Sequence, residues 1–150
     1  MSGFEFEYTL WVFLSTIGVF QYTALKNNLW GFVVLRNMPS TTKFLSVAIV
    51  ICSFLWFFLS EDRNVPDTAE GIDGVVQTRW FAIGAISAIA LLSLISSMTN
   101  HRWGAQHGWD SSAQNWPPIG ISWIEKTTFL RAIFCIIQAI YKNGIIWKIR

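Results

Sequence analysis

Charge is scarce in this chain. Of its 150 residues 13% are Asp, Glu, Lys or Arg, about half the share in an average soluble protein. Three long blocks contain none of these residues and no His. Ionisable groups inside spanning segments are what proton relays, ion-coupled carriers and voltage sensors are built from, so the blocks support none of these activities. Both histidines follow the third block, which excludes a haem held between two intramembrane histidines. Cysteine is scarce too. Cys52 lies in an apolar block and Cys135 in the C-terminal segment, so they read as two reduced, apolar fillers and not as a disulfide framework. A net charge of +2 without a Lys/Arg run gives nucleic acid no surface to bind.

What is present is apolar and aromatic: 53% hydrophobic residues, with nine Trp and twelve Phe. The blocks are residues 9–25 (TLWVFLSTIGVFQYTAL), 44–60 (FLSVAIVICSFLWFFLS) and 80–98 (WFAIGAISAIALLSLISSM). Each falls near the lower part of the roughly 17–25 residues that a helix needs to cross the hydrocarbon layer. Three in succession leave too little polar sequence to wrap them as soluble core helices. Backbone groups in lipid must be satisfied within the segment, and no barrel-like alternation is present, so the blocks read as helices. The expected fold is an all-α membrane protein with three transmembrane helices and a C-terminal amphipathic helix lying at the interface. Residues 1–100 form the spanning domain and residues 101–150 a cytoplasmic loop and tail. The start, MSGFEFEY, has Glu5 and Glu7 but no cation, so the first block reads as a retained span and not a signal peptide.

Orientation follows from the cations. Lys26, Arg36 and Lys43 lie between the first two blocks, and Arg102, Lys126, Arg131, Lys142, Lys148 and Arg150 after the third, against Arg63 and Arg79 on the other side. The positive-inside rule then places the N-terminus outside and the C-terminus in the cytoplasm of a multi-pass cell-membrane protein. Trp11, Trp56 and Trp80 fall at the outer ends of their blocks, where an aromatic belt is expected.

The connections offer few reactive groups. Asp67, Glu70 and Asp73 recur in the outer loop, residues 61–79, without the alternation of a calcium loop, and read as a solvated acidic stretch. Residues 29–35 are apolar but too few to span, so they either extend the first helix or lie along the inner surface. Pro39 should stop a helix there, with Ser40 and Thr41 as caps for the next. His101, Arg102, His107 and Asp110 gather after the third block at no metal-ligand spacing. Residues 121–141 have helical periodicity: Thr127, Arg131, Gln138 and Lys142 form a polar face, and Leu130, Phe134, Ile137 and Tyr141 an apolar one.

Within the spans the informative residues are small or mildly polar. Gly84 and Ala88 form a small-xxx-small pair, and Ser15 with Gly18 gives the first block a small face. Helices in lipid associate where small residues allow close approach and polar groups bond across. The third helix is therefore expected at the centre, packed on the first, with Gln21 reaching Ser93 and Ser96. Nothing calls for a cofactor or a metal. The expected function is that of a non-catalytic accessory or scaffold subunit of a membrane complex, with the lipid bilayer and a membrane protein, or a second copy, as partners. The alternative is an enzyme or carrier acting on a lipid-linked substrate through His101, Arg102, His107 and Asp110 at the cytoplasmic interface.

Overall fold

The computed structural model describes residues 3–60, 74–103 and 124–143, with the side chains of the last helix described as far as Ile137. Among the described residues four α-helices follow in order: α1 (Gly3–Lys26), α2 (Pro39–Leu59), α3 (Gly74–Thr99) and α4 (Phe129–Asn143), with a 3-10 turn, Trp30–Phe32, between α1 and α2. Among the described residues there is no strand. The acidic residues Asp67, Glu70 and Asp73, together with His107 and Asp110, lie outside the described residues.

Two of the helices, α2 and α3, are long and apolar enough to cross a membrane. Their outer faces decide the solvent. Phe44, Leu59, Ile86 and Met98 are 72%, 77%, 66% and 70% exposed. Each such side chain left in water would forfeit about 1.5–3 kcal/mol relative to burial. Hydrocarbon is the solvent these faces suit, and the protein is membrane-associated. At 24 residues α1 is as long, but Tyr8, Gln21, Tyr22 and three Thr make it less apolar, and it falls short of the same measure.

Packing puts α1 at the centre. Both α2 and α3 pack on α1 far more extensively than on each other, which corrects the expectation that α3 is the central helix. The two small faces of α1 explain the arrangement. A Cβ on Gly18 would stand 2.6 Å from the Ser46 carbonyl oxygen and from Val50 Cγ2, so this glycine admits α2. Three residues earlier Ser15 Oγ lies 2.9 Å from Ser53 Oγ. Because the Ser53 hydroxyl already donates to the Val50 carbonyl, Ser15 is the donor between the helices. On the α3 side, a Cβ on Gly84 would approach the Thr9 carbonyl oxygen to 2.8 Å and Val12 Cβ to 3.2 Å. Ala88 one turn on is completely buried.

One end of the bundle is aromatic. Trp11 stacks on Phe57 with ring centroids 4.7 Å apart and an interplanar angle of 16°, and Phe54 and Phe58 present their edges to it at 5.1 Å and 5.9 Å. Tyr8, Val12 and Phe57 are the buried centre, with Phe4 and Trp80 packed around them. Of the three tryptophans assigned to a belt, Trp11 is therefore wedged between α1 and α2, while Trp56 is 40% exposed. A large ring gains more by filling the gap against Phe57 than by remaining in a headgroup layer.

The other end is formed by the return from α1 to α2. Asn28 adopts φ 57°, the left-handed conformation that ends a helix. The Leu29 N–H donates to the Ala24 carbonyl at 2.8 Å and the Asn28 N–H to the Leu25 carbonyl at 3.2 Å, the paired bonds of a Schellman motif. The chain then neither extends α1 nor lies flat, as expected for residues 29–35. It turns inward so that Val33 is completely buried. Pro39 opens α2 in its first turn instead of merely closing what precedes it, because its fixed φ suits that position. Ser40 and Thr41, expected as caps, lie inside the helix; the N-cap is Met38, without a side-chain bond.

The C-terminal helix is shorter than its periodicity implied. Residues 124–126 form a turn and α4 starts at Phe129, while residues 121–123 lie outside the described residues. Residues 124–127 are committed elsewhere: the Ile124 carbonyl accepts the Gly31 N–H at 2.8 Å, and a Cβ on Gly31 would collide with the Thr127 carbonyl oxygen.

Gly84→Leu should lower the melting temperature in detergent by the equivalent of about 1–3 kcal/mol, the usual cost of overpacking. Ala90→Leu, on the exposed side of the same helix, should leave it unchanged. Equal melting of both variants would show that the close approach at Gly84 does not hold α3.

Candidate functional site

The loop end of the bundle contains the densest polar network among the described residues, and it is built from the backbone outward. The 3-10 turn satisfies the Phe32 and Val33 N–H groups, but the Phe32 and Val33 carbonyls and the Val34 N–H have no strand or helix to satisfy them, although Val33 is buried and its neighbours half-buried. Gln21, itself 5% exposed, supplies the missing partner. Its Nε2 donates to the Phe32 carbonyl at 2.8 Å and its Oε1 accepts the Val34 N–H at 3.0 Å. One side-chain amide thus pairs with the loop as a neighbouring strand would. Between those bonds the Val33 carbonyl accepts Asn100 Nδ2 at 2.8 Å, and the second proton of that amide goes to the Ser96 carbonyl at 2.9 Å. Both donors of Asn100 are used. The Thr42 hydroxyl lies 3.1 Å from the Leu35 and Met38 carbonyls, fastening the loop to the start of α2.

Gln21 therefore reaches the loop and not the serines of α3. Those serines turn back on their own helix: Ser93 donates to Ile89 at 2.7 Å, Ser96 to Ser93 at 3.2 Å and Ser97 to Ser93 at 2.7 Å. Each hydroxyl had a carbonyl one turn away, whereas Gln21 faces enclosed loop amides with no other partner. The Ser97 oxygen has a further role. It accepts the Leu130 N–H at 3.1 Å, so a residue of α3 caps the first turn of α4.

Two guanidinium groups close the network. Arg131 of α4 donates to the His101 carbonyl at 3.1 Å and the Trp103 carbonyl at 3.4 Å, beside the last turn of α3, where positive charge is favoured. Arg36 stands over the Trp103 ring, 4.6 Å from its centroid. Phe20, Phe32 and Phe129 form a chain of rings 5.1 Å and 5.4 Å apart that joins α1, the loop and α4. Ile124 and Ala132 are buried against Leu29, Phe32, Phe129 and Cys135. Burial pushes the Cys135 thiol above its usual range, and Arg131 draws it part of the way back. Outward from this contact, α4 exposes Phe134 and Ile137.

Of the reactive residues singled out in the sequence, His101 and Arg102 are exposed. The His101 Nδ1 lies 3.1 Å from the Met98 carbonyl. Among the described residues no three His, Cys, Asp or Glu side chains gather as a metal site.

Cavities border α1 at two places among the described residues. A cleft of about 500 Å³ is lined by Trp11, Ser15, Thr16, Val19, Thr23, Phe54 and Phe81. It exists because α2 and α3 flank α1 without closing over it. At the loop end a cavity of about 450 Å³ lies between the end of α1 and the start of α2, lined by Tyr22, Leu25, Lys26, Trp30, Pro39, Ser40 and Lys43. Neither was foreseen from the sequence, although Thr16 and Thr23, two turns apart on one face of α1, were a usable signal for the cleft. Likewise Thr42, Ser46 and Ser53, all buried, mark the face of α2 that meets α1. Comparison with known proteins finds no family model, no curated protein and no solved structure that matches the chain.

Gln21→Leu leaves the Phe32 carbonyl and Val34 N–H without partners, at about 1–3 kcal/mol for each buried group, and should lower stability accordingly. The raised Cys135 thiol provides a local readout. Thiolate is the reactive form, so alkylation at neutral pH should be slow in the native chain and accelerate as pH rises. In a Cys52→Ser background, Gln21→Leu should speed it at neutral pH by freeing α4. An unchanged rate and melting point would show that the loop stands without Gln21.

Proposed function

We propose that this chain is a small, non-catalytic integral membrane protein that serves as an accessory or scaffold subunit, crossing the bilayer three times with its N-terminus outside and α4 at the cytoplasmic interface. The observation that carries the subunit reading is the cleft along α1. The Thr16 and Thr23 hydroxyls line this cleft and make no hydrogen bond among the described residues, and the buried Trp11 Nε1 beside them has no partner either. Hydroxyl groups on a helix face bounded by Phe54 and Phe81 suit a further helix, which bonds to them and fills the space. That helix comes from a partner or from a second copy.

Inclusion of α1 as a third span is supported by its position. It is flanked by two helices suited to the membrane, and its charges lie near its ends, at Glu5, Glu7 and Lys26. The orientation rests on the cation bias. Lys26, Arg36, Lys43, Arg102, Lys126 and Arg131 belong to the loop end or its approaches, the side a cytoplasmic surface favours. The exposed Phe134 and Ile137 of α4 suit insertion at the headgroup boundary.

Extraction of the full chain in mild detergent should recover a second protein, or a dimer, in fixed stoichiometry. Val19→Trp, which fills the cleft from an exposed position, should abolish that association without lowering the melting temperature. A native chain that migrates alone would overturn the subunit reading. Orientation is tested separately: a cysteine-reactive, membrane-impermeant reagent applied to intact cells should label Glu5→Cys and leave Lys126→Cys unlabelled. The reverse pattern would invert the topology.

A further inference from the structure

We infer that the cavity at the start of α2 binds the phosphate of an anionic phospholipid, held between Lys26 and Lys43. The argument begins with what α2 lacks. A helix N-terminus attracts negative charge, and most helices satisfy their first amides with a capping side chain. Here the N-cap is Met38, no side chain bonds to the first turn, and that turn contains no acidic residue. Lys43 adds a cation just beyond it, where the helix dipole disfavours one. Lys26 brings a second from the last turn of α1. Neither ammonium group has a carboxylate partner among the described residues. Two unpaired cations and an uncapped helix end thus line one cavity of about 450 Å³, within the range of about 300–1,000 Å³ common to ligand sites.

The remaining lining separates phosphate in a lipid from phosphate in solution. Tyr22, Leu25 and Trp30 supply an aromatic and aliphatic wall beside the charges, the composition of an interface where rings lie at headgroup level. The cavity also opens at the end of α2, a helix suited to spanning. Whichever side of the membrane this end faces, it is at headgroup depth. The phosphodiester accepts from both ammonium groups and from the Ser40 hydroxyl, and the acyl chains continue along the exposed apolar faces of α1 and α2.

The test uses the full chain in zwitterionic detergent, titrated with short-chain phosphatidylglycerol or phosphatidylcholine and read by native mass spectrometry. One phosphatidylglycerol should be retained in preference to phosphatidylcholine. Lys26→Gln and Lys43→Gln should each weaken it about fivefold, the effect of one basic residue near an anionic surface. Lys126→Gln, exposed and outside the cavity, should not weaken it. Both lysines of the site are exposed, so the variants should melt like the native chain. Equal retention of the two lipids would overturn the inference, as would an equal loss from Lys126→Gln, which would indicate diffuse attraction. Displacement of the lipid by inorganic phosphate at the same concentration would also overturn it by assigning the cavity to a soluble anion. The association tested by Val19→Trp is independent of all these outcomes.

Discussion

The pairing of one side-chain amide with the backbone of residues 32–34 is what the loop end depends on. A chain that leaves one helix and enters another must pass through irregular backbone, and every enclosed N–H or C=O left unsatisfied there is costly. The usual remedy is to keep the connection in water. This chain instead tucks Val33 completely inside, satisfies its carbonyl with Asn100 and pairs its neighbours with Gln21. Because those amides come from α1 and from the end of α3, the loop ties together the two helices that supply them. The Schellman bonds at Asn28 aim the chain inward, and the Thr42 hydroxyl joins the loop to α2. Remove the pairing and the loop has no reason to be buried.

Burial of the loop gives α4 its seat. The Gly31 backbone, bare of a side chain, receives residues 124–127, and Ser97 caps the helix that follows. Arg131 and Arg36 then hold the turn at residues 101–103 from two sides. The sequence places Arg131 on the polar face of an amphipathic helix. It is engaged by α3, so α4 is fixed to the bundle along one edge while Phe134 and Ile137 remain exposed. The same helix is thus both a packed element and an apolar surface.

The apolar periodicity and the absence of charge were enough to reveal the helices, since these properties belong to single segments. Gly84 was legible as a packing residue for the same reason: a residue without a side chain in an apolar helix permits close approach. Its partner was legible too, but the order of the helices was not. Gly18 and Gly84 carry the same signal, and only the three-dimensional arrangement shows that one admits α2 and the other α3. Gln21 was conspicuous as a polar residue in an apolar block, yet the group that needed it was a backbone of ordinary apolar residues, Phe32 to Val34, which has no sequence signature. The start of α4 was misplaced for a related reason. Residues 121–141 are helical in pattern throughout, and the bond from Gly31 that holds Ile124 in a turn is a long-range one.

A bundle that spends its polar groups on its own backbone leaves little for chemistry, and this bears on where interaction is to be sought. Ser15 and Ser53, Gln21, Ser96, Ser97 and Asn100 each have partners within the fold. The groups without partners include two sets that border cavities: the Thr16 and Thr23 hydroxyls along the open side of α1, and the ammonium groups of Lys26 and Lys43 at its end. They differ in the partner they can accept. A hydroxyl in hydrocarbon is satisfied by another helix, which brings carbonyls or hydroxyls of its own. An ammonium group at headgroup depth is satisfied by a phosphate. Both surfaces border α1, the helix the fold places at its centre, so the gaps that α2 and α3 leave beside it are the common origin of both proposed contacts.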